Sequence, residues 1–368
     1  MTALTAARIR VARTHAQGLA GEPATSVAGA VRRVVGLQAQ DVRASRLAVR
    51  ARSMGLTRSD VDSAVTARRV VRTWAMRGTL HMLAAEDLGW IVGLLGPRFA
   101  KGLAGRRRSL GLDEATCERG LAAIKAVLTG SEPLERPELV TRLADHGMPL
   151  DPATQAPAHL IGYAAMCGLV CRGPETGADE PTYVLVEEWV DTPPAVPAET
   201  ARARLARRYL GGSGPAGAED FAAWSGLPLG ESRAAFAAIA DEVECRDAPG
   251  GKPLFVLAGA GQDEETAGPQ VRLLGHFDGY LLGYRSRDLA VPARYDRRIQ
   301  TGGGFVMPAV LVDGRAVGTW RQTRARNRLV VAVEPFTTIP RRVLPALRAE
   351  VADLGRFLDV PVELDLRR

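Results

Sequence analysis

The chain has 368 residues and a formal net charge of +7, and its composition is 46% hydrophobic and 24% charged. These values are typical of a globular protein of two or three domains, and no apolar run approaches the ~18 residues of a membrane span. The positive charge comes almost entirely from arginine, because lysine occurs only at Lys101, Lys125 and Lys252. It favours a polyanionic partner, although a GC-rich genome gives a similar composition.

The N-terminus lacks the basic and then apolar pattern of a signal peptide, so we expect a cytoplasmic, nucleoid-associated protein. In the first segment, apolar residues recur at helical spacing in 9–19, 27–35 and 47–54, and Ser59 and Asp60 cap a short fourth helix. Strand-forming residues follow over 70–82 around Gly78, which predicts a β-hairpin. Helices followed by a two-stranded wing describe a winged helix, a fold that presents a helix and a hairpin to duplex DNA.

The same order of helices and strands recurs twice. The predicted helices and then the strands of these two copies are 114–128, 136–146, 156–167, 169–172 and 183–186, followed by 199–210, 218–225, 229–239, 243–246 and 254–257. A proline-rich linker at 192–197 separates them. We therefore expect three tandem modules.

The last hundred residues are rich in strand patterns. The predicted strands are 271–274, 280–284, 306–312, 316–321 and 329–333, then a helix over 341–358 and an edge strand over 362–366. A turn is expected at 277–279, and Asp313-Gly314 is a strong hairpin turn. These patterns predict an α+β fold of three winged-helix units, 1–101, 102–191 and 192–260, around a C-terminal β-rich scaffold, 261–368.

Two glutamines, Gln38 and Gln40, are the candidate reaction centre in the segment VVGLQAQD at 34–41. If the chain leaves the preceding helix near Gly36 and runs extended, residues i and i+2 point the same way, so both carboxamides would face one cavity. A carboxamide is neutral and offers both donors and acceptors, which suits it to hold a water beside a developing cation. The alternative is a pair of surface glutamines at a helix end.

Several other chemistries lack support in the sequence. The GSGPAG at 212–217 matches G-x-G-x-x-G, but it follows a helix instead of a strand and contains Pro215, so we expect a loop. No lysine follows the glycines of a P-loop, and G-x-S-x-G and H-E-x-x-H are absent. Cys167 and Cys171 have no second Cys or His pair at ligand spacing, so we expect no metal site and no cofactor.

Basic and polar side chains form two further clusters. On the first wing, Arg77, Thr79 and His81 alternate with Gly78 and Leu80, so on a strand they share one face and could contact phosphates. The alternative is an exposed polar face with His81 satisfied locally. The second cluster contains Arg285 and Arg287, for which a solvated loop is the alternative. The predicted DNA contacts are Arg43, Arg46, Arg77, Thr79, His81, Arg285 and Arg287.

Four short motifs in this order carry a resemblance to a known family: GLQAQ, MRGTLH, FDGYLLGYRSRD and PAVLVDGRAVGTW. Together they resemble the AlkZ-type helix-turn-helix DNA glycosylases, which protect actinobacteria that produce DNA-alkylating antibiotics, such as azinomycin-type crosslinkers. The resemblance spans essentially the whole chain and implies winged-helix units with a concave basic DNA-binding face. It implies that Gln38 and Gln40 are catalytic; a related branch has Asp at the position of Gln40, and a role for Asp41 stays open.

The implied activity is monofunctional release of N7-alkylguanine from double-stranded DNA, including bulky adducts and interstrand crosslinks, by a monomer with no obligate protein partner. The shortage of lysine argues against a Schiff-base lyase. Two alternatives remain: a non-catalytic winged-helix regulator that binds one DNA sequence, and a resistance protein that sequesters the alkylating drug.

Overall fold

The structure, a computed structural model, describes residues 4–177, 179–191, 196–249, 251–259 and 268–367. These residues form two compact units, unit 1 within Met1–Val61 and Ala203–Arg368 and unit 2 within Asp62–Arg202. The helices of the described residues are α1 Ala6–Ala16, α2 Val27–Arg33, α3 Val42–Arg52, α4 Arg58–Thr66, α5 Leu88–Gly102, α6 Ala104–Ser109, α7 Glu114–Leu128, α8 Arg136–Asp145, α9 Ala156–Met166, α10 Val186–Trp189, α11 Ala198–Ser213, α12 Ala218–Ser225, α13 Leu229–Ala237, α14 Gly279–Leu282, α15 Asp296–Ile299 and α16 Leu344–Leu358.

The strands confirm a mixed helix and sheet fold. In the described chain they are β1 Gly36–Gln38, β2 Val70–Trp74, β3 Leu80–Ala84, β4 Leu134–Glu135, β5 Val170–Arg172, β6 Thr182–Leu185, β7 Val243–Arg246, β8 Leu254–Leu257, β9 Val271–Leu274, β10 Gln300–Gly302, β11 Phe305–Val306, β12 Ala309–Val312, β13 Arg315–Ala325, β14 Arg328–Pro335 and β15 Val362–Leu366.

Unit 1 is built on a five-stranded sheet in the order β15-β14-β13-β12-β9. β14 and β15 are parallel and the other pairs are antiparallel. β15 lies at one end of the order and is therefore an edge strand, as predicted. The predicted turn at Asp313-Gly314 joins β12 to β13, and both residues have positive φ. Helices α3 and α16 pack on β9. Side chains of β13 alternate between buried and exposed up to Trp320 and are then exposed from Arg321 to Arg324, beyond the packed part of the sheet.

Two strand predictions in unit 1 are wrong. Residues 280–284, expected as a strand, begin with helix α14, because the Asp278 carboxylate caps it by accepting a hydrogen bond from the Tyr280 amide. The expected strand at 306–312 is interrupted before β12, where Pro308 has no N–H to donate to a neighbouring strand.

Unit 2 contains a sheet in the order β3-β2-β5-β6-β4. β2 meets β5 antiparallel at Arg72 and Arg172, so the hairpins predicted for the first and second modules share one sheet. Helices α5 and α9 cover β2, and their packing places Leu160, Ile161 and Ile124 in a fully buried core. The helices α7, α8 and α9 lie within one residue of their predicted limits.

The division into winged-helix units at 1–101, 102–191, 192–260 and 261–368 stays a prediction. The described chain separates instead into the two compact units above, and the second of them begins at Asp62. Most of the predicted linker, residues 192–195, lies outside the described residues, as does 260–267 at the last predicted boundary. None of the described helices is long and apolar enough to cross a membrane.

Candidate active site

The segment that carries Gln38 and Gln40 follows a sharp turn after α2. Ser26 caps the start of α2 by accepting a hydrogen bond from the Gly29 amide, and the helix ends at Arg33. Val35 then adopts φ 68°, a left-handed conformation that is rare for a β-branched residue and that the surroundings must enforce. A Cβ on Gly212 would lie 2.2 Å from the Arg33 carbonyl oxygen, so α11 packs directly against this turn.

After the turn the chain runs extended, and the two glutamines point to the same side as their spacing predicts. Gln38 Nε2 donates a hydrogen bond of 2.5 Å to Gln40 Oε1. Between them Ala39 is fully buried, whereas Gln38 is half-buried and Gln40 is exposed. Two neutral carboxamides are therefore joined at the protein surface, with Ala39 facing the core.

Asp41, directly after Gln40, begins helix α3. Its Oδ1 accepts a hydrogen bond of 3.0 Å from the Ala44 amide, which caps the helix and satisfies an otherwise unpaired backbone donor. The carboxylate therefore has a structural role in setting where α3 starts. Two residues later Arg43 is exposed, but Arg46 is only 4% exposed, which argues against the predicted direct contact between Arg46 and DNA.

Helix α3 is held in place by two buried arginines that no sequence motif singled out. Arg52 is fully buried, and its Nη1 and Nη2 donate to the two carboxylate oxygens of Asp278 at 2.8 and 2.7 Å. Its Nη2 also donates to Gln17 Oε1 at 2.7 Å. A bidentate pair of this kind fixes orientation as well as distance. The signal present in the sequence was Asp278, which lies within the motif FDGYLLGYRSRD.

A second buried arginine, Arg50, ties α3 to α16. It donates to Glu350 at 2.5 Å, to Asp353 at 3.0 Å and to the Leu273 carbonyl at 3.0 Å. Burial by itself lowers the pKa of Arg50, but the two carboxylates outweigh it and raise that pKa above its usual value. The C-terminal end of α3 is thus anchored by two charged groups in the interior.

In unit 2, the wing residues are less exposed than predicted. His81 lies on β3 opposite Thr73 and is 2% exposed, and its Nδ1–H donates to the Thr79 carbonyl at 2.9 Å. Burial, followed by the positive charge of Arg77, lowers the pKa of His81 to about 3, so the ring is neutral at pH 7. Every residue of β3 is buried, which argues against the predicted contact between His81 and DNA and also against the alternative of an exposed polar face.

The other two wing residues, Arg77 and Thr79, precede β3 and are half-buried. Thr79 Oγ1 donates to the Met76 carbonyl at 3.0 Å, and Arg77 takes a positive φ of 57° at the turn. Burial lowers the pKa of Arg77 to about 10, and the guanidinium therefore still carries its charge at pH 7. Of the three wing residues, Arg77 is therefore a better candidate for a contact with DNA than Thr79 or His81.

The second basic cluster, in unit 1, also divides. Arg285 is exposed, and only its backbone amide is held, by Asp220 Oδ1 at 3.0 Å. Arg287 is half-buried and donates to Gln300 and, at 3.5 Å, to Asp296, which ties it to the base of the β10–β11 hairpin. Arg285 is thus better placed than Arg287 to meet a phosphate. Among the described residues, no group of three or more His, Cys, Asp or Glu side chains is arranged to hold a metal ion.

Comparisons with known proteins agree with this architecture. A family model described as "DNA glycosylase AlkZ-like" matches residues 31–357. A curated protein of Streptomyces sahachiroi, an interstrand DNA cross-link repair glycosylase, is 30% identical over an alignment of 351 residues, and the match covers 91% of this chain and 92% of that protein. The solved structure of Streptomyces sahachiroi DNA glycosylase AlkZ has a TM-score of 0.82 and 26% identity, and the match covers 99% of this chain and 100% of that one. Since the family model spans most of the sequence, this chain belongs to the AlkZ-like DNA glycosylase family.

Proposed function

We propose that this chain is a monofunctional DNA glycosylase that releases N7-alkylguanine from duplex DNA, with bulky adducts and interstrand crosslinks among its substrates. Family membership supports glycosylase activity on DNA. The Streptomyces sahachiroi relative is a cross-link repair glycosylase, which supports the bulky substrates. The biological role we propose is self-resistance to a DNA-alkylating natural product.

The observation that carries the catalytic part of the proposal is the hydrogen-bonded pair Gln38–Gln40 at the surface. Alkylation at N7 makes guanine a cationic leaving group, so the bond between N9 and C1′ breaks without strong acid catalysis. The bonding electrons neutralise the purine, and the oxygen of a water adds to C1′. One proton of this water stays on the new hydroxyl group and the other passes to solvent. What the protein must supply is a positioned water and stabilisation of an oxocarbenium-like sugar.

The carboxamide pair meets both needs. Gln40 Oε1 uses one lone pair to accept from Gln38 Nε2 and has a second lone pair with which to accept from a water. Preorganised oxygen dipoles can hold a water and stabilise positive charge as it develops on the sugar. An ordinary purine must be protonated before it departs, and a neutral pair does not do this, so unmodified DNA is spared.

The monofunctional part of the proposal rests on the scarcity of amines. Lysine occurs at three positions, and Lys125 is held by Glu187 at 3.0 Å. A lyase needs an amine nucleophile to form a Schiff base with the sugar, and arginine does not replace it at neutral pH. We therefore expect an intact abasic site as the product.

The proposed phosphate contacts are the exposed Arg43 and Arg285, together with Arg77. We also propose that the protein acts as a monomer.

The test is single-turnover base release from a duplex with one N7-methylguanine, with Gln38→Ala, Gln40→Ala and a control, Gln270→Ala, which removes a glutamine side chain of unit 1 next to the β12–β13 turn, where the Gln270 amide donates to Asp313 Oδ1. We expect each site variant to lose at least ~100-fold in rate, about 2.7 kcal/mol of transition-state stabilisation, while DNA binding is retained. The control should stay within about twofold of the unmodified protein.

Strand scission before and after alkaline treatment checks the product. Breaks that appear only after alkali confirm monofunctional chemistry, whereas breaks before alkali contradict it. If the unmodified protein releases no base but binds one DNA sequence tightly, the regulator alternative replaces the glycosylase proposal.

A further inference from the structure

A pocket of about 210 Å³ opens in unit 1 beside the glutamine segment. Its inner wall is apolar and buried, and consists of Leu47, Pro308 and Trp320. The indole N–H of Trp320 donates to the Leu274 carbonyl at 2.7 Å, so the ring is fixed and only its apolar surface is offered to the pocket. Asp41, which is bonded directly to Gln40, lines the same pocket.

The rim of the pocket is polar and basic. Arg43, Arg321 and Gln322 lie on it, and all three are exposed. Arg321 forms an ion pair with Glu334 at 2.9 Å. Both side chains are accessible to solvent, so this ion pair contributes little to stability. The pocket thus has an apolar inner wall and a cationic rim, and its lining includes the residue that directly follows Gln40.

We propose that this pocket is a specificity subsite that receives an apolar ring carried by the alkyl group of a guanine adduct. The assignment rests on the glycosylase function proposed above and adds to it the chemical class of adduct that the site prefers. An adduct with a methyl group alone has nothing to place there. An adduct with an aromatic substituent gains burial of that ring when its guanine lies at Gln38 and Gln40.

Size and charge select this occupant over others. A dry cavity of about 150 Å³ is enough for benzene in an engineered protein, so a pocket of about 210 Å³ has room for one aromatic ring. An anionic phosphate would lose its hydration against Leu47 and Trp320, so it would bind poorly at the inner wall. The rim suits it better, because Arg43 and Arg321 can pair with the phosphates of the DNA that carries the adduct.

The test compares release of N7-benzylguanine with release of N7-methylguanine from the same duplex, under single-turnover conditions. Gln322→Trp fills the pocket from its exposed rim, and Met307→Trp fills it from a half-buried position. The matched control is Thr323→Trp, because Thr323 is exposed directly after Gln322 on the same strand, points to the opposite face from Gln322 and is not part of the pocket lining. Circular dichroism and thermal unfolding check that each variant is folded.

We expect the ratio of the benzyl rate to the methyl rate to fall at least ~10-fold in the pocket variants and to stay within about twofold in Thr323→Trp. A ratio that does not change in Gln322→Trp, or that falls equally in Thr323→Trp, overturns the subsite and leaves the glycosylase function intact. If the unmodified protein releases neither base, the proposed function itself is overturned, and the subsite with it. The exposed position of Gln322 keeps the test decisive if Met307→Trp does not fold.

Discussion

In unit 1, the neutral side chains of Gln38 and Gln40 lie at the surface while the charges of Arg50 and Arg52 are buried behind them. In unit 2, the polar residues Thr73 and His81 lie inside the sheet, on strands that are almost wholly buried. The first arrangement uses buried ion pairs to anchor helix α3, which begins directly after the two amides. The second keeps Thr73 and His81 as neutral polar groups inside a sheet, where the His81 ring donates to the Thr79 carbonyl. Polarity in the sequence therefore does not indicate which side chains are available to a substrate.

The largest effect is expected where the buried ion pair is broken. Arg52→Met leaves the Asp278 carboxylate buried without its bidentate partner, and such a loss costs about 3–5 kcal/mol of folding free energy. Urea unfolding followed by circular dichroism measures it. The matched control is Arg43→Met, an exposed arginine on the same helix, for which we expect a change of less than about 0.5 kcal/mol. Equal effects of the two changes would remove the distinction between anchoring and exposed arginines on α3.

The buried histidine of unit 2 predicts a smaller, pH-dependent effect. The pKa of His81 is about 3 in the folded protein, below its ordinary value of 6.5, so the neutral ring stabilises the fold above pH 6.5. That contribution is lost as the pH falls from 6.5 towards 3, which amounts to about 2 kcal/mol between pH 7.5 and pH 5. His81→Gln should abolish this part of the acid sensitivity, measured by urea unfolding at the two pH values.

The control for this measurement is His146→Gln, because His146 is exposed and its Nδ1–H donates only to the Arg142 carbonyl of its own helix. Between pH 7.5 and pH 5, the His146→Gln variant should lose as much folding free energy as the unmodified protein does. If His81→Gln behaves in the same way as His146→Gln, then His81 is not held neutral in the interior.

Much of the fold was predictable because local patterns and packing agree. Helix α7 has the predicted limits, with Asp113 as its cap and an apolar stripe that reaches the core, and the turn at Asp313-Gly314 was identified from two residues alone. Strand β15 was correctly placed at an edge. Local strand propensity failed at 280–284, where a single side chain, Asp278, starts a helix instead.

The candidate site was predictable in part. The spacing of Gln38 and Gln40 was sufficient to place their side chains on one side, and the hydrogen bond between them agrees. The buried pairing of Arg52 with Asp278 was not, because it joins residues 226 positions apart. The left-handed conformation of Val35 was not predictable either, because a β-branched residue rarely adopts it. Contacts over such separations depend on tertiary packing, which a single sequence does not reveal.

The central claim is that Gln38 and Gln40 act together as one neutral reaction centre. A double-mutant cycle of base release from N7-methylguanine duplex tests it most directly, with Gln38→Ala, Gln40→Ala and the double variant. Because the two amides are hydrogen-bonded, removal of either disables the pair, so the double variant should be no more than about threefold slower than the slower single variant. Losses that multiply would mean that the two glutamines act independently, and single variants that keep the full rate would place the chemistry elsewhere.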